Sequence, residues 1–238
     1  MKKIVICGAS SGIGREIAKI CAAKGYKVGI MGRREDKLLE LARNPIFVTK
    51  VCDITAPDAP DKLRELIAEM GGIDIYMHCS GIGYKNVALE FAKELATTET
   101  NCLGFTQMIA TAFDYFAHAG RGQIAAISSI AGTKGLGAAP AYSASKRFQR
   151  HYLECMAQLA HIRKLDIKIT DIRPGFVDTD LLKGGHYPVL LSPDAVAQKI
   201  VRSVEKHKRA VVIDWRYALV VAIWRMLPNF LWERLRIR

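Results

Sequence analysis

Short apolar runs alternate with longer stretches whose apolar residues recur every three or four positions, and this alternation continues along almost the whole chain. Lys3 to Cys7, Lys27 to Met31, Phe47 to Val51 and Ile73 to Met77 read as strands, as do Gly122 to Ser129, Asp166 to Ile172 and Arg209 to Asp214. Their apolar character is nearly continuous, as in strands covered on both faces. Helices are expected from the first glycine turn to about Lys24, from Glu35 to Arg43, from Pro57 to Met70, from Glu94 to about Ala119 and from Pro140 to about Lys164. One more starts at Ser192-Pro193, with Ser192 as N-cap and Pro193 at the first helical position. Such alternation implies an α/β domain with a parallel sheet between two helical layers.

The first strand runs directly into Gly8-Ala9-Ser10-Ser11-Gly12-Ile13-Gly14 and an amphipathic helix. A glycine-rich turn at a helix N-terminus points backbone N–H groups and the positive end of the helix dipole at one place, which suits a pyrophosphate. This makes the expected fold a Rossmann-type, doubly wound sheet over residues 1–214. The second strand ends in Gly32-Arg33-Arg34. An acidic residue there would hold ribose hydroxyls, whereas arginine accommodates a 2′-phosphate, so NADP(H) is favoured over NAD(H). The alternative is that Arg33 and Arg34 are solvated residues ahead of a helix capped by Glu35 or Asp36. Asp53 ends the third strand, where ligands bind in open sheets, and could equally be a turn or cap residue. Gly81 and Gly83, after the fourth strand, permit a close ligand or simply make a turn.

The chain has 238 residues, 50% hydrophobic and 24% charged, which fits one soluble globular domain. No apolar stretch is long enough to cross a bilayer, and Ile4 to Cys7 is too short for a secretory signal. Cys7, Cys21, Cys52, Cys79, Cys102 and Cys155 lack paired metal-ligand spacing and read as reduced cysteines of a cytoplasmic protein. No metal site is expected, at His78 or elsewhere. The net charge of +12 would attract an anionic cofactor, a membrane surface or nucleic acid. Nucleic acid is set aside because no binding motif accompanies the charge.

The chemistry concentrates between Ser128 and Lys146. On a helix starting at Pro140, Tyr142 and Lys146 share one face and place an ammonium beside a phenol. Bringing a phenol from a pKa of about 10 to near 7 needs roughly 4 kcal/mol of support for the phenolate. A cation about 4 Å away is of that order at an effective dielectric of about 20. A serine delivered by the preceding strand could polarise a carbonyl, and strand alternation lets only one of Ser128 and Ser129 point inward. Asn101 inside a helical stretch is locally unfavourable; it is either used or satisfied by a buried neighbour.

Together, Gly8, Gly12 and Gly14, Asp53, Asn101, Ser129, Tyr142, Lys146 and the run Pro174-Gly175 to Thr179 resemble the short-chain dehydrogenase/reductase family over about residues 3 to 214. The resemblance implies that Tyr142 is the general acid in carbonyl reduction and the base in alcohol oxidation. Lys146 would hold the nicotinamide ribose and depress the Tyr142 pKa, Ser129 would bond the substrate oxygen, and Asn101 would support a relay water. Asp53 would contact adenine, and Thr179 the nicotinamide carboxamide or the phosphates. Cofactor contacts implied in the same way are Gly8, Ser10, Ser11, Gly12, Ile13 and Gly14, Arg33 and Arg34, Ser80 and Gly81, Tyr142 and Lys146, and Pro174, Gly175 and Val177. Two positions depart from the family pattern: Cys7 replaces a threonine, and His78-Cys79-Ser80-Gly81 replaces Asn-Asn-Ala-Gly. Ser80 and His78 could substitute as hydrogen-bond partners.

The expected activity is hydride transfer between NADP(H) and a hydrophobic ketone or secondary alcohol. The alternatives are 3-oxoacyl-thioester reduction and a dinucleotide-binding regulatory protein without catalysis. A homo-oligomer is expected, and the segment with Gly184, Gly185, His186 and Pro188 is the expected flap. Residues 215–238 hold all three tryptophans, with arginines at the margins, and Pro228 divides them into two helical pieces. Such a tail suits a membrane interface, at the inner face of a cytoplasmic protein's membrane, or a subunit contact, or packing on its own core.

Overall fold

The computed structural model describes residues 1–182 and 189–235. Its first half is β1 (Lys3–Cys7), α1 (Gly12–Ala23), β2 (Lys27–Gly32), α2 (Glu35–Ala42), β3 (Phe47–Val51), α3 (Ala59–Glu69) and β4 (Ile75–His78). Then come α4 (Phe91–Thr98), a π turn (Glu99–Gly104), α5 (Phe105–Ala119), β5 (Arg121–Ile127) and α6 (Pro140–Ile162). The chain continues through β6 (Asp166–Pro174), α7 (Pro193–Glu205), β7 (Ala210–Ile213), α8 (Trp215–Met226) and α9 (Asn229–Trp232).

Among the described residues the strands form one parallel sheet in the order β3-β2-β1-β4-β5-β6-β7. The order reverses between β1 and β4, and a crevice opens at such a switch point beyond the C-terminal strand ends. Side-chain alternation divides the core cleanly. Ile4 and Ile6 of β1 face α1, α2 and α7 with Val28, Ile30 and Met77. Val5 and Cys7 face α3, α5 and α6 with Tyr76, Ile124 and Ala126. A one-residue slip would turn every one of these side chains to the wrong layer.

Several boundaries differ from the sequence expectation, and three of them bear on the site. The helix expected from Glu94 to Ala119 is interrupted by the π turn that carries Asn101. The fifth strand stops at Ile127, and Ser129 instead caps a short 3₁₀ turn by accepting from Ala131 N. β6 runs on to Pro174 because Arg173 and Pro174 pair with β7. Ser192 caps α7 as expected, accepting from Ala195 N at 3.3 Å.

The C-terminal segment folds back on the domain. Tyr217 and Val221 of α8 enter the core, and Trp232 of α9 is buried. Trp232 Nε1 donates to Gly135 O (2.6 Å), and Lys134 Nζ donates to Leu227 O (2.8 Å), so the tail is tied to the loop preceding α6. The expected flap, Gly184 to Pro188, lies outside the described residues.

Candidate active site

The turn after β1 is built for backbone approach. Gly8 has φ +90°, and a Cβ there would lie 2.6 Å from Ser80 N. A Cβ on Gly14 would lie 2.3 Å from Gly8 O, so only glycine lets α1 start this close to β1. Gly12, at φ +52°, faces Thr179 across the mouth of the turn. Ile13 is half-buried against the core. Ser11 sits at the N-cap of α1 with no side-chain cap bond, so its hydroxyl is not used by the helix. Arg34 takes it instead: Arg34 Nη2 donates to Ser11 Oγ, and Nε and Nη2 donate to Ser10 Oγ at 3.2 and 3.1 Å. Arg34 Nη1 also lies 3.6 Å from Asp180 Oδ2. The two arginines therefore separate, because Arg33 points to Asp53 at 3.9 Å. Asp53 accepts from Thr55 N and Thr55 Oγ1 at 3.0 and 2.8 Å. Burial tends to raise its pKa, but the Thr55 bonds and Arg33 outweigh it and hold the carboxyl below the usual range.

The two family departures compensate each other in part. Cys7 Sγ and Ser80 Oγ lie 3.5 Å apart, joining the ends of β1 and β4 where a threonine hydroxyl would otherwise act. His78 is a core residue: Nδ1 is 3.0 Å from the Tyr76 hydroxyl, and its ring packs edge-on against Phe105. Burial, with the Lys146 charge second, pushes its pKa down to about 3 and keeps it neutral. Among the described residues there is no metal-ligating cluster.

The reactive side lies across the crevice. Tyr142 and Lys146 are one turn apart on α6, with Lys146 Nζ 5.8 Å from the centre of the Tyr142 ring. Gly83 packs so closely on that ring that a Cβ would lie 2.3 Å from Tyr142 Cδ2. Gly81 stands next to Asn101 Oδ1 and Lys146 Nζ. Ser129 is hydrogen-bonded to the phenol. Ser128 turns the other way and donates to Asp171 Oδ1 at 2.5 Å, with Ile172 O 3.2 Å from the same hydroxyl. The structure therefore separates the two serines, with Ser129 on the tyrosine side, although both lie beyond the end of β5.

Tyr142, Lys146 and Asn101 are each engaged by the surrounding protein. Burial holds the Tyr142 phenol above its ordinary value, and the Ser129 bond acts downward. The ammonium is directed elsewhere, donating to Ile127 O at 3.0 Å and Gln149 Oε1 at 2.9 Å. Burial pushes Lys146 down to about 8, against the pull of Asp171. Asn101, expected to support a relay water, is engaged by protein groups. Its side chain clamps Ile82, accepting from Ile82 N (2.9 Å) and donating to Ile82 O (2.7 Å) and Ser145 Oγ (3.0 Å). Its carbonyl accepts from Gln149 Nε2 at 2.9 Å.

At the other lip, Pro174 ends β6 and Gly175 lies beneath Tyr217, where a Cβ would meet the ring at 2.3 Å. Val177 is buried and bridges to Leu191, and Thr179 Oγ1 donates to Val177 O at 3.3 Å. Three supporting residues escaped the sequence reading. Glu94 accepts from Ala141 N (3.0 Å), capping the N-terminus of α6 from another helix. Ser143 Oγ shares its one proton between Ala131 O and Lys134 O, and accepts from Leu136 N, fixing the loop between Ser129 and Tyr142. Gln149 is completely buried. Its spacing of three from Lys146 put it on the same helix face, a readable signal; nothing local marked Glu94.

A family model described as short chain dehydrogenase matches residues 2–186. An uncharacterised oxidoreductase of Mycobacterium tuberculosis is 34% identical, covering 98% of this chain and 96% of its own. Dehydrogenase/reductase SDR family member 7B of Bos taurus is 29% identical over 99% of this chain and 80% of its own. A short-chain type dehydrogenase/reductase from Mycobacterium ulcerans superposes with a TM-score of 0.79 at 22% identity, over 92% of this chain and 90% of that one.

Proposed function

The chain belongs to the short-chain dehydrogenase family, and on that footing we propose that it is an NADP(H)-dependent reductase of a hydrophobic ketone, run in reverse on the secondary alcohol. The observation that carries this reading is Tyr142 hydrogen-bonded to Ser129 with Lys146 one turn away, all at the C-terminal edge of the sheet. The glycine cradle at Gly8, Gly12 and Gly14 fits a dinucleotide, because Gly8 and Gly14 let the turn and the start of α1 pack directly on the backbone after β1 and β4, which leaves a helix N-terminus to receive a pyrophosphate. Arg34, with Ser10 and Ser11, fits a 2′-phosphate: guanidinium and hydroxyls converge on one point beside a helix N-terminus. Gly32 supports the same preference, since a larger side chain there would crowd Ser10 Oγ, 3.3 Å from its Cβ position.

When bound, the nicotinamide supplies the hydride. Ser129 would hold the substrate oxygen by its hydroxyl, and Tyr142 would deliver its phenolic proton to that oxygen. A phenol kept protonated by burial is in the correct state to donate. Lys146, charged below about pH 8, would hold the nicotinamide ribose and favour the phenolate left after transfer. Turnover with NADPH across ketones and a 3-oxoacyl thioester tests the reading, which fails if the protein reduces none of them.

Two features of the surface extend this proposal. Leu95, Leu103 and Phe148 are exposed on adjoining elements and support a homo-oligomer. On α8, Trp215, Leu219, Ile223 and Met226 form an exposed stripe beside Arg225, which supports contact with an anionic membrane surface at the cytoplasmic face. No helix among the described residues is long and apolar enough to cross a membrane.

A further inference from the structure

A buried carboxamide sits between the two residues that the reaction most needs held still. Gln149 is fully buried, as is Asn101, and Lys146 is 5% exposed. Lys146 Nζ donates to Gln149 Oε1 at 2.9 Å, and Gln149 Nε2 donates to Asn101 O at 2.9 Å. Its orientation follows from its neighbours: an ammonium can only donate and a carbonyl can only accept, so the amide cannot be reversed. The Asn101 carbonyl lies within the π turn, where helix bonding is displaced and an acceptor needs an outside partner. An ammonium has three N–H donors. Ile127 O and Gln149 Oε1 take two, which leaves one to be aimed at the crevice.

We propose that Gln149 is the positioning residue for Lys146: it ties the ammonium to the Asn101 carbonyl through protein atoms and so fixes the direction of the third donor. The link also gives the carbonyl a protein donor where a relay water was expected. This inference rests on the oxidoreductase reading. Gln149 touches neither substrate nor cofactor in this role and acts only through Lys146.

The other groups facing Lys146 are Asp171 from β6, Cys79 and His78 from the end of β4, Cys102 from the π turn and Tyr142 on its own helix. All are unchanged when Gln149 alone is replaced, so a moved titration belongs to Gln149. Gln149→Leu removes both bonds. Gln149→Glu keeps an acceptor for Lys146 and loses the donor to Asn101. NADPH affinity by fluorescence titration and kcat for reduction should be measured for the parent and both variants from pH 6 to 10.

For Gln149→Leu, kcat should fall on the order of 10- to 100-fold, as expected when a reacting group is misplaced. Its loss of NADPH affinity with rising pH should begin at lower pH than in the parent, because the ammonium has lost an acceptor. Gln149→Glu should move that limb to higher pH, because a carboxylate favours the charged lysine. If Gln149→Leu does not fold, the glutamate variant decides alone. A uniform loss with the limb unmoved makes Gln149 core filling and overturns the assignment. A parent that neither binds NADPH nor reduces any carbonyl overturns the reading beneath it as well.

Discussion

At the scale of single residues, burial acts on the phenol of Tyr142 and the ammonium of Lys146 in opposite directions, because it disfavours whichever form is charged. Tyr142 is pushed up and Lys146 down to about 8, so below that pH the pair is a neutral acid beside a cation. Reduction needs both forms. Its kcat/KM, which reports the free enzyme, should therefore fall as pH rises through about 8. A profile flat to pH 10 would contradict this. Arg34→Ala, which removes the guanidinium over Ser10 and Ser11, should weaken NADPH at least about tenfold more than NADH, as expected for a lost charge-assisted bond. Equal weakening of both in equilibrium binding would remove the case for NADP. Much at this scale was legible in the sequence, since the shared face of Tyr142 and Lys146 follows from helical periodicity and the choice of Ser129 over Ser128 from the family resemblance. What was not legible is where the lysine ammonium goes: Ile127 O is supplied by another element, and spacing along α6 does not reveal it.

At the scale of elements, the helix that carries the tyrosine is held by distant groups rather than by its own caps. Ala139 provides no side-chain cap for α6, and Glu94 supplies the acceptor from α4 while also binding Asn86 Nδ2 at 2.7 Å. Glu94→Ala should cost about 0.5–2 kcal/mol in chemical denaturation, the range for a lost N-cap. An unchanged midpoint would show that the carboxylate is dispensable. Asn101→Leu should cost about 1–3 kcal/mol, because Ile82 N and O lose their buried partner. The same principle explains the one helix whose continuity was misjudged. A single helix was expected from Glu94 to Ala119, although Thr97 to Asn101 carries no apolar residue, and the π turn falls there with Asn101 bonded across the fold to Ile82 and Ser145. The asparagine was conspicuous in the sequence; the Ile82 backbone it holds was not.

At the scale of the molecule, strand order places the glycine turn of β1 and the tail of β5 on either side of the switch point, so cradle and acid meet although they are far apart in sequence. Alternating strands and helices made this architecture readable, because parallel sheets leave few other arrangements. The C-terminal segment was less readable, since its hydrophobic residues serve two surfaces: Tyr217, Val221 and Trp232 turn inward, whereas Trp215 and Met226 are 74% and 82% exposed. Leu219→Glu with Ile223→Glu should abolish co-sedimentation with anionic phospholipid vesicles and leave reduction of a small water-soluble ketone intact. Vesicle binding that survives both substitutions would contradict lipid contact through this stripe. Removal of residues after Asp214 should do more, because Tyr217 covers Gly175 and Trp232 holds Gly135. Substrate kcat/KM should then fall along with thermal stability.

Tyr142→Phe decides whether the Tyr142 hydroxyl gives up its proton beside a bound nicotinamide, with NADPH affinity and single-turnover reduction measured on the same preparation. NADPH binding should stay at the parental level while the reduction rate falls by about 10²- to 10⁴-fold, the usual contribution of a positioned acid. Reduction at the parental rate by the phenylalanine variant would contradict it.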